Sequence, residues 1–236
     1  MERAAGAEEQ KKVAGYRAAE YVADGQVVGL GTGSTVRYAL EALGERVRDG
    51  LKIVGVPTSG STVQLATELG IPLAELNEHP TLDIAIDGAD EIDPALNLIK
   101  GLGNALVREK LVEAAARRLI IVGDESKLVP ALGSKAPVPV AVVPFGWTST
   151  RERLAALGAR PVLRLAPDGG PRVTDDGLYI LDCWFGPIAD PASLERSLKA
   201  TLGVVSTGLF LDFPVTAIVA RADRSVDVIG PRPEAR

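Results

Sequence analysis

A chain of 236 residues with 46% apolar side chains can bury one large core or two unequal ones, and an aromatic share of only 4% makes that core aliphatic. A formal net charge of -5, with no dense run of Lys and Arg, argues against a nucleic-acid binder, which would carry a basic stripe. One cysteine rules out an internal disulfide, one histidine rules out an imidazole-rich metal centre, and no apolar run is long enough to span a bilayer.

The first twelve residues mix charges without an apolar centre, unlike a secretory signal, so a soluble cytoplasmic protein is expected. Residues 8–23 carry Val13, Tyr16, Ala19 and Val22 at helical spacing and stop at Asp24-Gly25. Residues 26–30 read as a buried strand that runs into Gly31, Thr32, Gly33, Ser34 and Thr35. A helix follows at once, with Val36, Ala39, Leu40, Leu43 and Val47 on one face. Strand, glycine-hydroxyl turn and helix is an arrangement that binds phosphate, because free backbone N–H groups at a helix start point at the anion. The plainer alternative is an ordinary connection with one hydroxyl as helix cap. The turn has neither the G-x-G-x-x-G spacing of a dinucleotide site nor the Gly-Lys-Ser/Thr of a P-loop. The pattern then repeats as a strand over 52–56, a second hydroxyl-rich turn over 57–62, a helix carrying Val63, Ala66 and Leu69, and a short strand over 71–73.

Chemistry concentrates in residues 84–110. A strand with Leu82, Ile84 and Ile86 alternating delivers Asp87 at its carboxyl end, and Asp90, Glu91 and Asp93 come close behind. Lys100 sits in a glycine-bracketed turn. A helix over 104–118, with Leu106, Val107, Leu111, Ala114 and Ala115 as its expected buried stripe, carries Glu109. A buried strand over 119–122 leads into Gly123-Asp124-Glu125-Ser126-Lys127. Strands alternating with helices imply a mostly parallel, doubly wound (Rossmann-like) α/β sheet. Loops after strand carboxyl ends converge on one rim of such a sheet, where ligands bind, and Thr32, Asp87, Asp90 and Lys127 all follow strands.

Beyond Pro130 the character changes. A proline-punctuated strand within 131–144, a helix over 148–157, a strand over 160–165, a hairpin turn at Asp175-Asp176-Gly177 flanked by 172–174 and a strand over 178–184, a helix over 192–202 and a strand from Val204 give the β-α-β-β-α-β order of a ferredoxin-like unit. The expected division is a main α/β domain, residues 1–130 and 207–236, and a small inserted α+β domain, residues 131–206. Residues 215–220 and 226–229 return to the larger sheet. Cys183, in a strand with no histidine near it in sequence, reads as an inert buried thiol. His79, in N-E-H-P, reads as a surface loop residue.

Carboxylates past a strand end, then a lysine, then a carboxylate on a helix, are parts for moving protons on a small anion. If that anion is a sugar phosphate, interconverting aldose and ketose needs a base to lift a proton beside the carbonyl, worth about 10²–10⁴-fold. It also needs a donor for the enediolate charge, worth another ~10²–10³. Glu109 suits the first task and Lys100 the second, while Asp87 and Asp90 can pass protons between sugar oxygens. The bland alternatives are a solvated ion-pair face for Glu109 in R-E-K, and an ordinary acidic loop or an oxygen-ligand Mg²⁺ site for residues 87–93.

Four segments carry a resemblance: G-L-G-T-G-S-T-V (29–36), I-D-G-A-D-E-I-D (86–93), K-G-L-G-N-A-L-V-R-E-K (100–110) and D-E-S-K (124–127). In this order and spacing they resemble the type A ribose-5-phosphate isomerases, and the likeness covers nearly the whole chain. It implies interconversion of ribose 5-phosphate and ribulose 5-phosphate through an enediolate, in the non-oxidative pentose phosphate pathway. It implies no metal, no cofactor, no nucleic-acid or membrane partner, and a homodimer or a tetramer. Carried over by position, Glu109 matches the proton-transferring base, with Asp87, Asp90 and Lys100 as further catalytic candidates. Thr32, Gly33, Ser34, Thr35, Asp87, Gly88, Ala89, Asp90, Lys100, Gly101, Leu102, Gly103 and Lys127 match substrate-binding segments. Leu102 and Asn104 depart from the family's glycine-richer turn, and Leu102 would be strained if that position required a positive φ. Val107 departs too, as an expected packing change.

Two other functions compete. An amino-sugar phosphate isomerase/deaminase would use a histidine for ring opening, but His79 lies outside every motif. Against a non-catalytic sugar-phosphate sensor, no helix-turn-helix or basic segment precedes Val13, and the acidic pair, the lysine and the glutamate are all retained.

Overall fold

The computed structural model describes residues 2–230. The chain begins with α1 (Glu2–Ala19), β1 (Val27–Leu30), α2 (Val36–Arg48), β2 (Val54–Pro57) and α3 (Gly60–Glu68). It continues through β3 (Ile84–Gly88), two short strands β4 (Glu91–Ile92) and β5 (Leu98–Ile99), α4 (Leu106–Ala115) and β6 (Leu119–Asp124). The later elements are β7 (Val138–Val142), α5 (Trp147–Ala156), β8 (Arg160–Leu163), β9 (Tyr179–Trp184), α6 (Pro191–Lys199), β10 (Val204–Thr207), β11 (Leu209–Phe210), β12 (Val215–Ala220) and β13 (Val226–Ile229).

These elements fall into two units. The first takes the residues up to Ala89, Arg108–Lys127 and those from Phe213; the second takes Asp90–Val107 and Leu128–Asp212. The second therefore reaches back to Asp90, well ahead of the sequence boundary at 131. The reason is pairing: β4 and β5 form a three-stranded antiparallel sheet with β11.

In the first unit six strands run in the order β13-β12-β6-β3-β1-β2, all parallel except the antiparallel edge strand β13. β6 and β12 are buried along nearly their whole length, which is why they read as unbroken aliphatic runs rather than alternating ones. α2 buries Val36, Ala39, Leu40 and Leu43 as its spacing predicts, each large side chain worth roughly 1.5–3 kcal/mol. α1 turns a slightly different face inward, Ala14 and Ala18 rather than Val13 and Tyr16, and the Tyr16 hydroxyl donates to Glu45 at 2.8 Å. The expected strand over 71–73 is only an isolated bridge, Gly55 to Leu73.

The second unit holds a four-stranded antiparallel sheet in the order β10-β7-β9-β8, with α5 and α6 as crossovers, the ferredoxin-like arrangement expected. Val138, Val140, Val142, Leu154, Leu181, Cys183 and Leu198 form its core. Glu91, wholly buried, binds the loop over 133–136 to the three-stranded sheet. Its carboxylate accepts the N–H groups of Gly133 at 2.6 Å, Lys135 at 2.5 Å and Ala136 at 2.7 Å.

Candidate active site

In the first unit β1, β3 and β6 are parallel neighbours, so their carboxyl ends and the segments after them lie along one rim: Gly31 to Thr35, Asp87 with Gly88 at the end of β3, and the 3₁₀ turn that carries Lys127. The structure joins two of them directly. Asp87, 1% exposed, accepts the Thr32 N–H through Oδ1 at 3.0 Å and the Gly88 N–H at 2.7 Å. The Thr32 hydroxyl lies 2.8 Å from Thr58 Oγ1 and Ser59 Oγ and 3.0 Å from Thr62 Oγ1, and Thr62 donates in turn to the Gly31 carbonyl at 2.8 Å. The two hydroxyl-rich turns are thus one hydrogen-bonded body, and the Thr32 hydroxyl is spent on that join. α2 starts without a side-chain cap: Thr35 is buried but makes no cap hydrogen bond, while Gly33 and Ser34 are exposed. The capping alternative therefore does not describe this turn, and the helix start presents backbone donors to the rim.

α4 departs from its expected stripe. Leu111 is 57% exposed and Ala114 is also exposed, whereas Leu106, Glu109, Val112, Glu113 and Ala116 are buried. A face drawn from apolar residues alone misses this one because two glutamates belong to it. Val112 fixes the helix: a Cβ on Gly29 of β1 would lie 2.7 Å from Val112 Cγ1, so the missing side chain is what lets α4 approach. The Ala115 carbonyl accepts the Leu82 N–H at 2.8 Å, just before β3 begins. The last turn of α4 is therefore at the foot of the sheet, and its first turn, with Glu109 3% exposed, lies toward the rim. Glu113, 1% exposed and one turn beyond Glu109 on the same face, is an ionisable group the sequence reading passes over; its i, i+4 spacing from Glu109 was the available signal.

In the second unit Lys100 follows β5 and is 2% exposed, its ammonium 5.4 Å from the centre of the Phe210 ring and its N–H donating to the Gly208 carbonyl at 2.9 Å. The turn after it is closed by Asn104 N–H donating to the Gly101 carbonyl at 3.1 Å. Positive φ falls at Gly101 (104°) and Asn104 (76°), not at Leu102, so Leu102 carries no left-handed strain; its side chain is 44% exposed, as Gly103 also is exposed. Asn104 is among the residues that tolerate this conformation best. Asp90 accepts the Leu102 N–H through Oδ2 at 3.0 Å. Val107 packs against Leu106, Ala141 and Ile180, the packing role expected of it.

Not every acidic residue of 87–93 is available for chemistry. Glu91 is the loop tether already described, and Asp93 organises its own turn, accepting the N–H groups of Ala95 at 2.9 Å and Asn97 at 2.8 Å. Cys183 is buried in β9, and burial, helped by neighbouring Asp182, pushes its thiol up to about 12. His79 is half-buried in a turn, its N–H donating to the Glu75 carbonyl at 3.3 Å. Among the described residues no group of three or more His, Cys, Asp or Glu is placed to hold a metal, and no helix is long and apolar enough to cross a membrane.

The fold is α/β, with a glycine-hydroxyl turn and buried carboxylates in the first unit and a buried lysine in the second, side chains of the kind that proton-transferring enzymes use. Known proteins narrow the class. Residues 54–224 match the family model of ribose 5-phosphate isomerase A (phosphoriboisomerase A). The chain is 56% identical over 218 residues to the ribose-5-phosphate isomerase A of a Synechococcus strain, covering 92% of this chain and 95% of that one. It is similar to the solved ribose 5-phosphate isomerase of Plasmodium falciparum, with a TM-score of 0.92 and 41% identity over 95% of this chain and 99% of that one. A D-ribose-5-phosphate isomerase in complex with phospho-erythronic acid matches equally well, with a TM-score of 0.92 and 42% identity over 95% and 99%. This chain belongs to the ribose 5-phosphate isomerase A family.

Proposed function

We infer that this protein interconverts D-ribose 5-phosphate and D-ribulose 5-phosphate, an aldose–ketose isomerisation of the non-oxidative pentose phosphate pathway. The observation that carries the reading is Glu109: a carboxylate at the family's base position, 3% exposed on the rim-ward turn of a helix, where a surface ion pair would have left it in water.

Glu109 removes the proton from C2 of the open-chain aldose and returns it to C1, so the two carbons exchange oxidation level through an enediolate. Lys100, a buried cation, meets the negative charge that builds on the enediolate oxygen, where a low-dielectric setting makes it count most. Asp87 and Asp90 relay protons between sugar oxygens and assist ring opening. The turn of Thr32, Gly33, Ser34 and Thr35 receives the phosphate on its uncapped helix start, and Gly88, Ala89, Gly101, Leu102, Gly103 and Lys127 complete the binding set. The family resemblance also supports a metal-independent enzyme, cytoplasmic and assembled as a homodimer or a tetramer.

The test is substrate choice. With ribose 5-phosphate and glucosamine 6-phosphate offered separately, turnover of the first alone is expected. Turnover of only the second would replace this reading with the amino-sugar one.

A further inference from the structure

The lysine turn is held by a device that its sequence does not announce. Arg164, just past β8 and with a side chain only 13% exposed, forms a two-pronged pair with Asp182 of β9: Nε donates to Oδ2 at 3.0 Å and Nη2 to Oδ1 at 2.5 Å. Its remaining nitrogen reaches the turn, where Nη1 donates to the Gly101 carbonyl at 2.8 Å and to the Leu102 carbonyl at 3.3 Å. A guanidinium is a rigid planar fork, so once Asp182 fixes two of its nitrogens the third has one direction to point.

The consequence runs through peptide planarity. In a trans peptide the N–H points opposite to the C=O. With the Gly101 carbonyl on Arg164, the Leu102 N–H must point away from it, and that N–H meets Asp90 Oδ2 at 3.0 Å. With the Leu102 carbonyl also on Arg164, the Gly103 N–H is turned the same way. Asn104 ties the far end of the turn, its side-chain Nδ2 donating to the Val173 carbonyl at 3.1 Å. The turn is thus gripped by three side chains, of which Arg164 alone meets two successive peptide planes, 101–102 and 102–103, one residue beyond Lys100.

We propose that Arg164, locked by Asp182, is a positioning residue for catalysis: it fixes the orientation of the segment 100–103 and so the placement of the Lys100 ammonium and the Asp90 carboxylate. It touches no substrate in this scheme. The proposal rests on the part given to Lys100 above.

The experiment compares Arg164→Ala, Arg164→Lys and Lys100→Ala in the full-length protein, with kcat and KM for ribose 5-phosphate and thermal unfolding measured on each. Misplacing a reacting group by about 1 Å costs on the order of 10²-fold, so Arg164→Ala should lose roughly 10–100-fold, mainly in kcat. Millimolar guanidinium, which can reoccupy the space between Asp182 and the two carbonyls, should restore part of that loss. A role confined to fold stability would lower the melting temperature and leave kcat of the folded protein unchanged, and millimolar guanidinium is too dilute to act as a denaturant. If Arg164→Ala does not fold, Arg164→Lys decides: it keeps a cation beside Asp182 but lacks the fork, and reduced kcat in a folded protein supports the proposal. A folded Arg164→Ala or Arg164→Lys with the parent's kcat, or an Arg164→Ala loss that guanidinium leaves untouched, overturns it. Lys100→Ala separates the two ideas: if it is inactive while the Arg164 variants are normal, only the positioning role falls, and if it is fully active the role of Lys100 falls.

Discussion

Gly31 and Asp87 fill one space between them: a Cβ on Gly31 would lie 2.2 Å from the Asp87 carboxyl carbon and 2.3 Å from Oδ1. The glycine is there for clearance, because its own φ is not in the left-handed region. That clearance lets Asp87 accept the Thr32 N–H and so tie the glycine-hydroxyl turn to the end of β3.

Gly31→Ala must therefore displace either Asp87 or the turn. Overpacking of this kind costs about 1–3 kcal/mol in stability. Activity should suffer more than stability, by roughly 10²-fold if the carboxylate moves by about 1 Å. Steady-state kinetics beside urea unfolding would show both, and an active, undisturbed variant would mean that Asp87 can move without consequence.

Glu91→Ala removes the acceptor of three backbone N–H groups, those of Gly133 and Ala136 buried and that of Lys135 partly buried. Each buried donor left without a partner costs about 1–3 kcal/mol, so a loss of about 2 kcal/mol or more is expected in denaturant unfolding. Glu91→Gln, which keeps an acceptor oxygen, should lose less. A change below about 0.5 kcal/mol, the range of an ordinary surface substitution, would remove Glu91 from its tethering role.

Cys183 should be silent in the native protein. Burial raises its thiol from 9.0 to about 12, so the folded state favours the neutral form. Its contribution to stability is full below pH 9.0 and fades as the pH climbs toward 12. At pH 8 a thiol reagent should react only at the rate of unfolding. Immediate stoichiometric labelling of the folded protein would contradict this.

In the lysine turn, Leu102→Gly should lower the melting temperature, since no left-handed strain is relieved there and glycine adds unfolded-state entropy worth about 0.4–1 kcal/mol. Asn104→Ala should cost more, because alanine is poorly suited to a φ of 76° and the bond to Val173 disappears. A stabilised Leu102→Gly would show that the turn is strained after all.

The alternation of aliphatic strands and helices made the parallel sheet legible, and the β-α-β-β-α-β order made the small unit so, because burial on both faces leaves long unbroken runs in sequence. The site was legible only as a set of residues. Nothing in the spacing separates Asp87 and Asp90 from Glu91 and Asp93; the difference lies in which backbone N–H groups each carboxylate meets. α4 misled for a related reason. Its inward face carries Glu109 and Glu113, so an apolar stripe drawn around them selected Leu111 and Ala114, which face outward. Local hydrophobic logic gives way where ionisable side chains occupy the buried face. Arg164 and Asp182 were invisible for another reason, since their pairing depends on the register of β8 against β9.

Proton transfer by Glu109 is tested most directly by Glu109→Gln, assayed in deuterated water for both turnover and deuterium uptake at the sugar carbons. Binding of ribose 5-phosphate should persist while turnover and uptake fall together by about 10²–10⁴-fold, the share a positioned base supplies. A glutamine variant that isomerises and exchanges at the parent's rate would contradict that role and place the base elsewhere.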